Sequence, residues 1–314
     1  FDITRDFVGL HPAHDLIPVR PTQHYSMGGI RVNKDGQAYN LAGLFAAGEA
    51  ACWDLHGFNR LGGNSVAETV VAGMIVGETI ADFCDSEAGN LRISTALVNE
   101  AGACERARLE QIATGGGTEH ADELMRQMQE VMTAKVGIFR HGDALQEAVD
   151  TLQQLLVRSR AIGLRSSATG ACPELVAAYR VQRMLKLALC VAAGALRRTE
   201  SRGAHYRADF PRRDDRQWLS RTLACWPPGD ANAPELSAEP LDVRQMELPP
   251  GWRGYGARDY IEHPDSEPRS RRIDTLEAGL ASDSPLARQD AVMPFLHLLP
   301  EPLRRPNNRR NGSA

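Results

Sequence analysis

Three polar clusters stand out in the first 65 residues, because each lies next to glycines or to a short apolar run. His24 lies in the first cluster and is followed closely by two adjacent glycines, which let the backbone approach a ligand. Glu49 follows the apolar run 43–48 and is expected at the C-terminal end of a strand, where open α/β sheets bind their ligands. Arg60 lies in the third cluster, residues 56–65, and its planar guanidinium suits a substrate carboxylate.

Each of these residues also has a purely structural interpretation. A single histidine is often a satisfied structural residue, a glutamate after a strand can be an exposed turn residue, and an arginine can form a surface salt bridge. The polar stretch 198–207 is interpreted as a hinge at which domains pack, and not as a catalytic element. Whether these residues are functional or structural therefore depends on which helices, strands and loops carry them.

A marked helix start follows the third cluster. Residues 62–64 are turn formers, Ser65 is a good N-cap, and Glu68 three positions later completes a capping box. The apolar residues that follow predict a helix over 66–83. Unpaired N–H groups and positive potential at such a start suit an anionic group of a bound ligand.

The chain divides into three parts by pattern. Residues 17–85 alternate short apolar runs with glycine-rich turns, which is typical of an α/β domain. Helical periodicity follows and predicts a bundle, with segments near 92–113, 118–136, 141–162 and 174–198. The remainder is rich in Pro, Arg and Asp and is expected to be an extended tail with a few short strands. We therefore predict domains over 1–87 and 88–200 and an extended C-terminal tail over 201–314.

Composition excludes several functional classes. The chain has 314 residues, 42% of them apolar and 24% charged, with a net charge of −4, so it offers no basic footprint for nucleic acid. The longest uncharged apolar run, 187–196, is too short for a membrane helix. The six cysteines form no CxxC pair and no metal-ligand spacing, so we expect reduced thiols, no iron–sulfur cluster and no metal site in this chain.

Four motifs carry a resemblance to a known family. In order, they are PTQHYSMGGI (21–30), GLFAAGEA (43–50), HGFNRLGGNS (56–65) and RTESRGAHYRADFPRRDD (198–215). They resemble the flavoprotein subunits of fumarate reductase and succinate dehydrogenase, and the resemblance covers residues 15–220. Within this family, the sequences ACWDLHGFNRLGGNS and PPGWRGYGARDYIEHP resemble the quinol:fumarate reductase branch more closely than the mitochondrial-type dehydrogenases.

The resemblance implies a fold and a set of roles. The first domain would be the α/β remainder of a Rossmann-like FAD-binding domain, followed by the α-helical bundle. His24 and Arg60 would hold the carboxylates of fumarate or succinate. Glu49 would bond the ribityl or ribose part of FAD, and the backbone at Ser65 and Val66 would meet the isoalloxazine.

This chain departs from the family pattern at some positions, and some motifs of the family are not found in it. Phe58 stands where many members carry Ala, and Val66 where many carry Leu; both are interpreted as packing changes. The GxGxxG loop, the histidine that bonds FAD covalently and the proton-donating arginine are not found, and Arg5 is not assigned that role. Because the sequence opens with Phe1, we expect a C-terminal fragment whose catalytic proton donor lies in a missing N-terminal part.

The resemblance also implies partners: an iron–sulfur subunit and, indirectly, a membrane anchor subunit with quinone. The expected place is the cytoplasmic face of the inner membrane, in electron transport during anaerobic respiration. Two alternatives stay open, an L-aspartate oxidase-like flavoenzyme and a non-catalytic assembly module that docks an iron–sulfur subunit. Met27 and the run 61–63 favour the dicarboxylate reductases over L-aspartate oxidase.

Overall fold

The computed structural model describes residues 2–19, 24–86, 93–166, 170–229 and 231–241, and, further along, 271, 274–275, 278–279 and 281–293. The helices there are α1 (Asp2–Val8), α2 (Asn64–Asp85), α3 (Thr95–Thr114), α4 (Ala121–Lys135), α5 (Gly142–Arg158), α6 (Pro173–Arg197), α7 (Asp215–Trp218) and α8 (Pro285–Val292). The strands are β1 (Ile30–Arg31), β2 (Ala51–Cys52), β3 (Phe139–Arg140), β4 (Tyr206–Arg207), β5 (Ser220–Cys225) and β6 (Glu235–Pro240). Phe1–Arg213 with Thr222–Ala238 form one compact unit, the first unit, and Asp214–Arg221 with Glu239–Ala314 form a second.

The core of the first unit lies among α4, α5 and α6. Apolar residues of α5 recur every three or four positions, which places them on one face of the helix. The buried face of α6 contains several alanines, so α5 can pack closely against it. The largest fully buried apolar side chains of this core are Leu124, Val136, Leu145, Leu152, Leu155, Val181, Leu185 and Leu189.

The four helices predicted between residues 92 and 198 are confirmed as α3, α4, α5 and α6, with ends shifted by a few residues. A 3-10 turn, Ser159–Ala161, extends α5 and accounts for the longer predicted segment. Pro173 begins α6 at a position where its missing N–H costs nothing. The helical periodicity of the sequence was therefore a sound guide in this region.

The part of the chain before α2 pairs two short strands in parallel, with Ile30 beside Ala51. Gly29 precedes β1 with φ 132°, and a Cβ there would lie 2.3 Å from the carbonyl oxygen of Ala50. Only glycine permits this close approach. The expected order of strand, strand and helix is present, but β1 and β2 are two residues long.

The start of α2 differs from the prediction. The helix begins at Asn64, its N-cap is Gly63 with φ 80°, and no side chain caps it. Ser65 is therefore already helical, and the predicted Ser65 cap is wrong. Glu68 does not complete a capping box, because its carboxylate accepts a hydrogen bond from Trp53 Nε1 instead.

Regular structure also occurs within the predicted tail, residues 201–314. The strands β5 and β6 form a two-stranded sheet. The short helix α7 is capped by Asp214, whose side chain accepts hydrogen bonds from the backbone amides of Arg216 and Gln217. The first forty residues of the tail thus contain short strands, as expected, and also the helix α7, which the sequence did not predict. Most of the tail beyond 241 lies outside the described residues, and the three-domain division stays a prediction.

Within the described parts of the chain, no helix combines the length and apolar character needed to cross a membrane. The same parts contain no group of three or more His, Cys, Asp or Glu side chains placed to hold a metal ion. All six cysteines lie in described residues and are free thiols.

Candidate functional site

Two loops of the first unit line a narrow cleft. One loop precedes β1 and the other follows β2 toward the start of α2. The lining residues are Tyr25, Ser26, Met27, Gly28, Ala51, Cys52, Trp53, Asp54, Leu55, His56 and Gly57. Each of the predicted ligand residues flanks one of these loops in the chain, so the cleft is the centre of the candidate site.

The aromatic ring of Tyr25 joins the two loops. The guanidinium carbon of Arg60 lies 4.8 Å from the centre of this ring, and His56 meets the same ring edge to face, with ring centres 5.4 Å apart. Burial and the nearby Glu68 carboxylate raise the pKa of Tyr25 above its usual value, so its hydroxyl stays protonated at neutral pH. His24 is exposed and directly precedes Tyr25. The structure therefore places Arg60 against the loop that carries His24.

The guanidinium of Arg60 has donors that the protein does not satisfy. Its Nη1 donates to the carbonyl of Leu61 at 3.3 Å, but its Nε is buried and has no hydrogen-bond partner. No carboxylate among the described residues lies within ion-pair distance of it. Buried guanidinium donors are normally paired, so an anionic ligand is the partner that this geometry suits.

Glu49 ties the first loop to the turn that precedes β2. It lies in a 3-10 turn, Gly48–Ala50, and its Oε1 accepts a hydrogen bond from the backbone amide of Ser26 at 2.8 Å. The expectation that Glu49 ends a strand is wrong, because it precedes β2, and the run before it contributes only a single bridge residue, Phe45.

Ser65 and Val66 lie in the first turn of α2, as the prediction for a cofactor-facing backbone requires. Amide groups in a first helical turn lack intrahelical acceptors and carry positive potential. This turn contains no acidic residue that would neutralise that potential. The Val66 side chain is 73% exposed, so it has no packing role within the described residues.

Sequence reasoning missed a buried polar cluster behind the cleft. Glu68 is 5% exposed, and its Oε1 accepts a hydrogen bond from Trp53 Nε1 at 3.1 Å. Its Oε2 lies 3.9 Å from His56 Nε2, and neither atom has a hydrogen-bond partner. One signal could have found it, because Glu68, Ala72 and Val76 recur at helical spacing and form the buried face of α2.

Residues 198–209, here called the arginine segment, pack against the second loop. Ala204 donates its backbone N–H to the carbonyl of Phe58 at 2.8 Å. Arg198 is buried and pairs with the fully buried Glu200, at 2.6 Å between Nη1 and Oε1. These contacts all lie within the first unit, and the interpretation of 198–207 as a hinge at which domains pack stays a prediction.

Two family models match the chain. Residues 1–66 match the FAD binding domain, and residues 125–255 match the fumarate reductase flavoprotein C-term. FAD is thus the cofactor of the family to which the first match belongs.

The residues around the cleft fit such a cofactor. The first turn of α2 offers amide donors without a competing acidic side chain, which suits the anionic edge of a flavin. Glu49 uses one carboxylate oxygen for Ser26 and has the other available for a hydroxyl. The unpaired Nε of Arg60 remains for a second, anionic ligand.

The relatives agree with the family models. The fumarate reductase flavoprotein subunit of Helicobacter pylori strain 26695 is 49% identical over 282 residues, which are 89% of this chain and 39% of the relative. The succinate dehydrogenase flavoprotein subunit of Bacillus subtilis is 35% identical over 243 residues, 77% of this chain and 41% of the relative. A quinol-fumarate reductase structure with menaquinol molecules superposes with a TM-score of 0.73 at 32% identity, over 80% of this chain and 42% of that chain. The chain thus spans about two fifths of the length of these relatives, and it belongs to the family of flavoprotein subunits of fumarate reductase and succinate dehydrogenase.

Proposed function

We propose that the full-length protein containing this chain interconverts fumarate and succinate with FAD, as the catalytic flavoprotein subunit of a quinone-linked complex. The observation that carries this function is the Arg60 guanidinium, which lies on Tyr25 with a buried, unpaired Nε. Family membership supports the reaction class, and the 49% identity to a fumarate reductase subunit favours that branch over succinate dehydrogenase.

His24 and Arg60 have the chemistry to hold the two carboxylates of the substrate. FAD, when bound, supplies hydride transfer at one of the two central carbons. Negative charge then builds at the neighbouring carbon and spreads into its carboxylate. Cationic donors fixed beside that carboxylate stabilise the transition state more than the ground state. The contact with the Tyr25 ring restricts the Arg60 side chain and so prepares it for this work.

Glu49 and the start of α2 are proposed to hold the cofactor. The free oxygen of Glu49 would accept a hydrogen bond from a ribityl or ribose hydroxyl. The backbone amides of Ser65 and Val66 would donate to the isoalloxazine edge, where helix polarity favours negative charge. The proton donor is proposed to be an arginine outside this sequence, so no residue of the chain is assigned that role.

The proposed partners are an iron–sulfur subunit and, through it, a membrane anchor subunit with quinone. Support comes from the structural relative, which is a quinol-fumarate reductase. The proposed position is peripheral, on the cytoplasmic face of the inner membrane. Residues 1–87, 88–200 and 201–314 are proposed as the cofactor domain, the helical domain and the tail of this subunit.

Replacing Arg60 with Lys in the full-length protein tests the function. Lysine keeps the charge but removes the planar fork, so fumarate turnover should fall by about 10²–10³ while flavin content is kept. Arg126→Lys is a matched control, because Arg126 forms only exposed pairs on α4, with Glu123 and Glu130; its turnover should stay within a few-fold of wild type.

Turnover by Arg60→Lys within a few-fold of wild type would remove Arg60 from the substrate site. Loss of flavin from this variant would make Arg60 a cofactor residue instead. Wild-type protein that oxidises L-aspartate, and does not reduce fumarate, would favour the L-aspartate oxidase alternative.

A further inference from the structure

Phe58 lies two positions before Arg60, in the loop between β2 and α2, and contacts the arginine segment in two ways. Its backbone carbonyl accepts the hydrogen bond from the Ala204 amide. Its ring faces the guanidinium of Arg198, whose carbon lies 4.7 Å from the ring centre. The backbone bond would survive any side chain at position 58, whereas the ring contact depends on an aromatic residue.

Arg198 is a fixed support for this ring. It is 2% exposed, and it bonds both the buried Glu200 carboxylate and, at 3.2 Å, the hydroxyl of Thr222. Glu200 in turn accepts two hydrogen bonds from Arg202. A cation held this firmly and away from water attracts an aromatic face more strongly than an exposed one does.

The backbone of the arginine segment also lies very close to Phe58. Gly203 has φ 57°, and a Cβ at this position would lie 2.6 Å from the Cβ of Phe58. Any larger residue at 203 would have to push the loop away. The contact between the two loops is therefore tight at Phe58 itself, and Arg60 follows at once in the chain.

We propose that Phe58 is a positioning residue for Arg60, and that the stacking of its ring on Arg198 fixes the loop that presents the guanidinium to a dicarboxylate. This inference rests on the proposed function. The helical part of the first unit thereby acts on the ligand site through one aromatic side chain.

Fumarate binding to the oxidised, FAD-loaded, full-length protein tests the proposal by calorimetry, since no turnover occurs. Phe58→Ala and Phe58→Leu should each weaken binding about tenfold, the size of a desolvated cation–π contact, while Phe58→Tyr should stay within about twofold. Leucine keeps most of the side-chain volume of phenylalanine but has no aromatic ring. The Phe58→Leu variant therefore distinguishes the cation–π contact from packing. Amide hydrogen exchange over residues 54–62, measured on the same samples, should rise in the Ala and Leu variants only.

Unchanged fumarate affinity in Phe58→Ala and Phe58→Leu, with only a lower melting temperature, would overturn the proposal and leave Phe58 as a packing residue. A Tyr variant as weak as the Ala variant would also overturn it, because the ring would then not matter. If wild-type protein does not bind fumarate but exchange over 54–62 still rises in the Ala and Leu variants, the proposed function fails while the loop contact stands.

Discussion

His205 is a buried histidine whose protonation state follows from its neighbours. Arginine can only donate, so His205 Nδ1 accepts from Arg140 Nη1 at 2.8 Å, and the proton lies on Nε2, which donates to the Arg198 carbonyl at 3.2 Å. Burial, and then the positive charge of Arg140, lower the pKa of His205 to about 4. The hydrogen bond to the Arg198 carbonyl opposes this shift, while the positive charges of Arg198 and Arg207 add to it. The ring is therefore neutral at pH 7.

This pKa predicts a pH dependence of stability. The unfolded histidine titrates near 6.5, so between pH 6.5 and pH 4 the unfolded state binds more protons, and stability falls as pH falls. The full effect is roughly 3 kcal/mol, reached near pH 4. Urea unfolding of wild type and His205→Asn at several pH values measures it, and the difference between them should change across this window. Parallel curves would contradict the assignment.

A second group titrates lower and can be told apart. Hydrogen bonds from Arg207 lower the pKa of Asp209 to about 2. Its contribution to stability is complete above the ordinary carboxyl pKa and is lost as pH falls toward 2. The change in stability between pH 6.5 and pH 4 therefore comes mostly from His205.

Residue types and glycine context were enough to nominate His24, Glu49 and Arg60 as candidates, because such patterns are local in the chain. The partners of Glu68 were not predictable in this way. Trp53 and His56 reach Glu68 only because the loop between them turns at Asp54, whose φ is 73°. An aspartate tolerates that conformation, but nothing in the sequence requires it.

At the scale of elements, the start of α2 gives a paired prediction. Gly63→Ala should lower the free energy of unfolding by about 1–2 kcal/mol, since alanine is strained at φ 80°. Ser65→Ala should change it by less than about 0.5 kcal/mol, because Ser65 caps nothing. Urea unfolding of both variants decides the point. A Ser65 variant as destabilised as the Gly63 variant would move the helix start to the position that the sequence favoured.

The helices and strands differed in how well the sequence predicted them. Long segments with apolar residues every three or four positions, such as α5 and α6, have one dominant solution. Strands of two residues, such as β1 and β2, carry too few positions for an alternating pattern to appear. Periodicity also shows which face of α2 is apolar, but not what covers it, and several of those residues are exposed: Val66, Val70, Val71, Met74, Ile75 and Ile80.

At the scale of the whole molecule, the chain has only part of a flavin site. It contains candidate groups for the isoalloxazine and for one hydroxyl, but its sequence has no GxGxxG loop to bind the pyrophosphate. We therefore expect this chain alone to bind FAD with a Kd weaker than roughly 1 µM, because the phosphate contacts are missing. Fluorescence titration with FAD measures this, and the full-length protein is the control. Submicromolar binding by the chain would show that the residues described here suffice.

The guanidinium of Arg207 binds carbonyl groups at the C-terminal end of α6, which the amides of a further helical turn would otherwise bind. Its Nη1 donates to the carbonyls of Ala195, Leu196 and Arg198, while Asp209 holds the other side of its guanidinium. A single missense change here would leave carbonyl groups in the interior without their donor and would leave the partly exposed Asp209 carboxylate with only the Gly142 amide. The loss amounts to several kcal/mol, whereas the free energy of unfolding of native proteins is only about 5–15 kcal/mol. In a cell, such a change would lower the amount of the subunit, because the unfolded protein is degraded by proteases. Genetic variation at this codon would therefore mimic a catalytic defect without altering the chemistry.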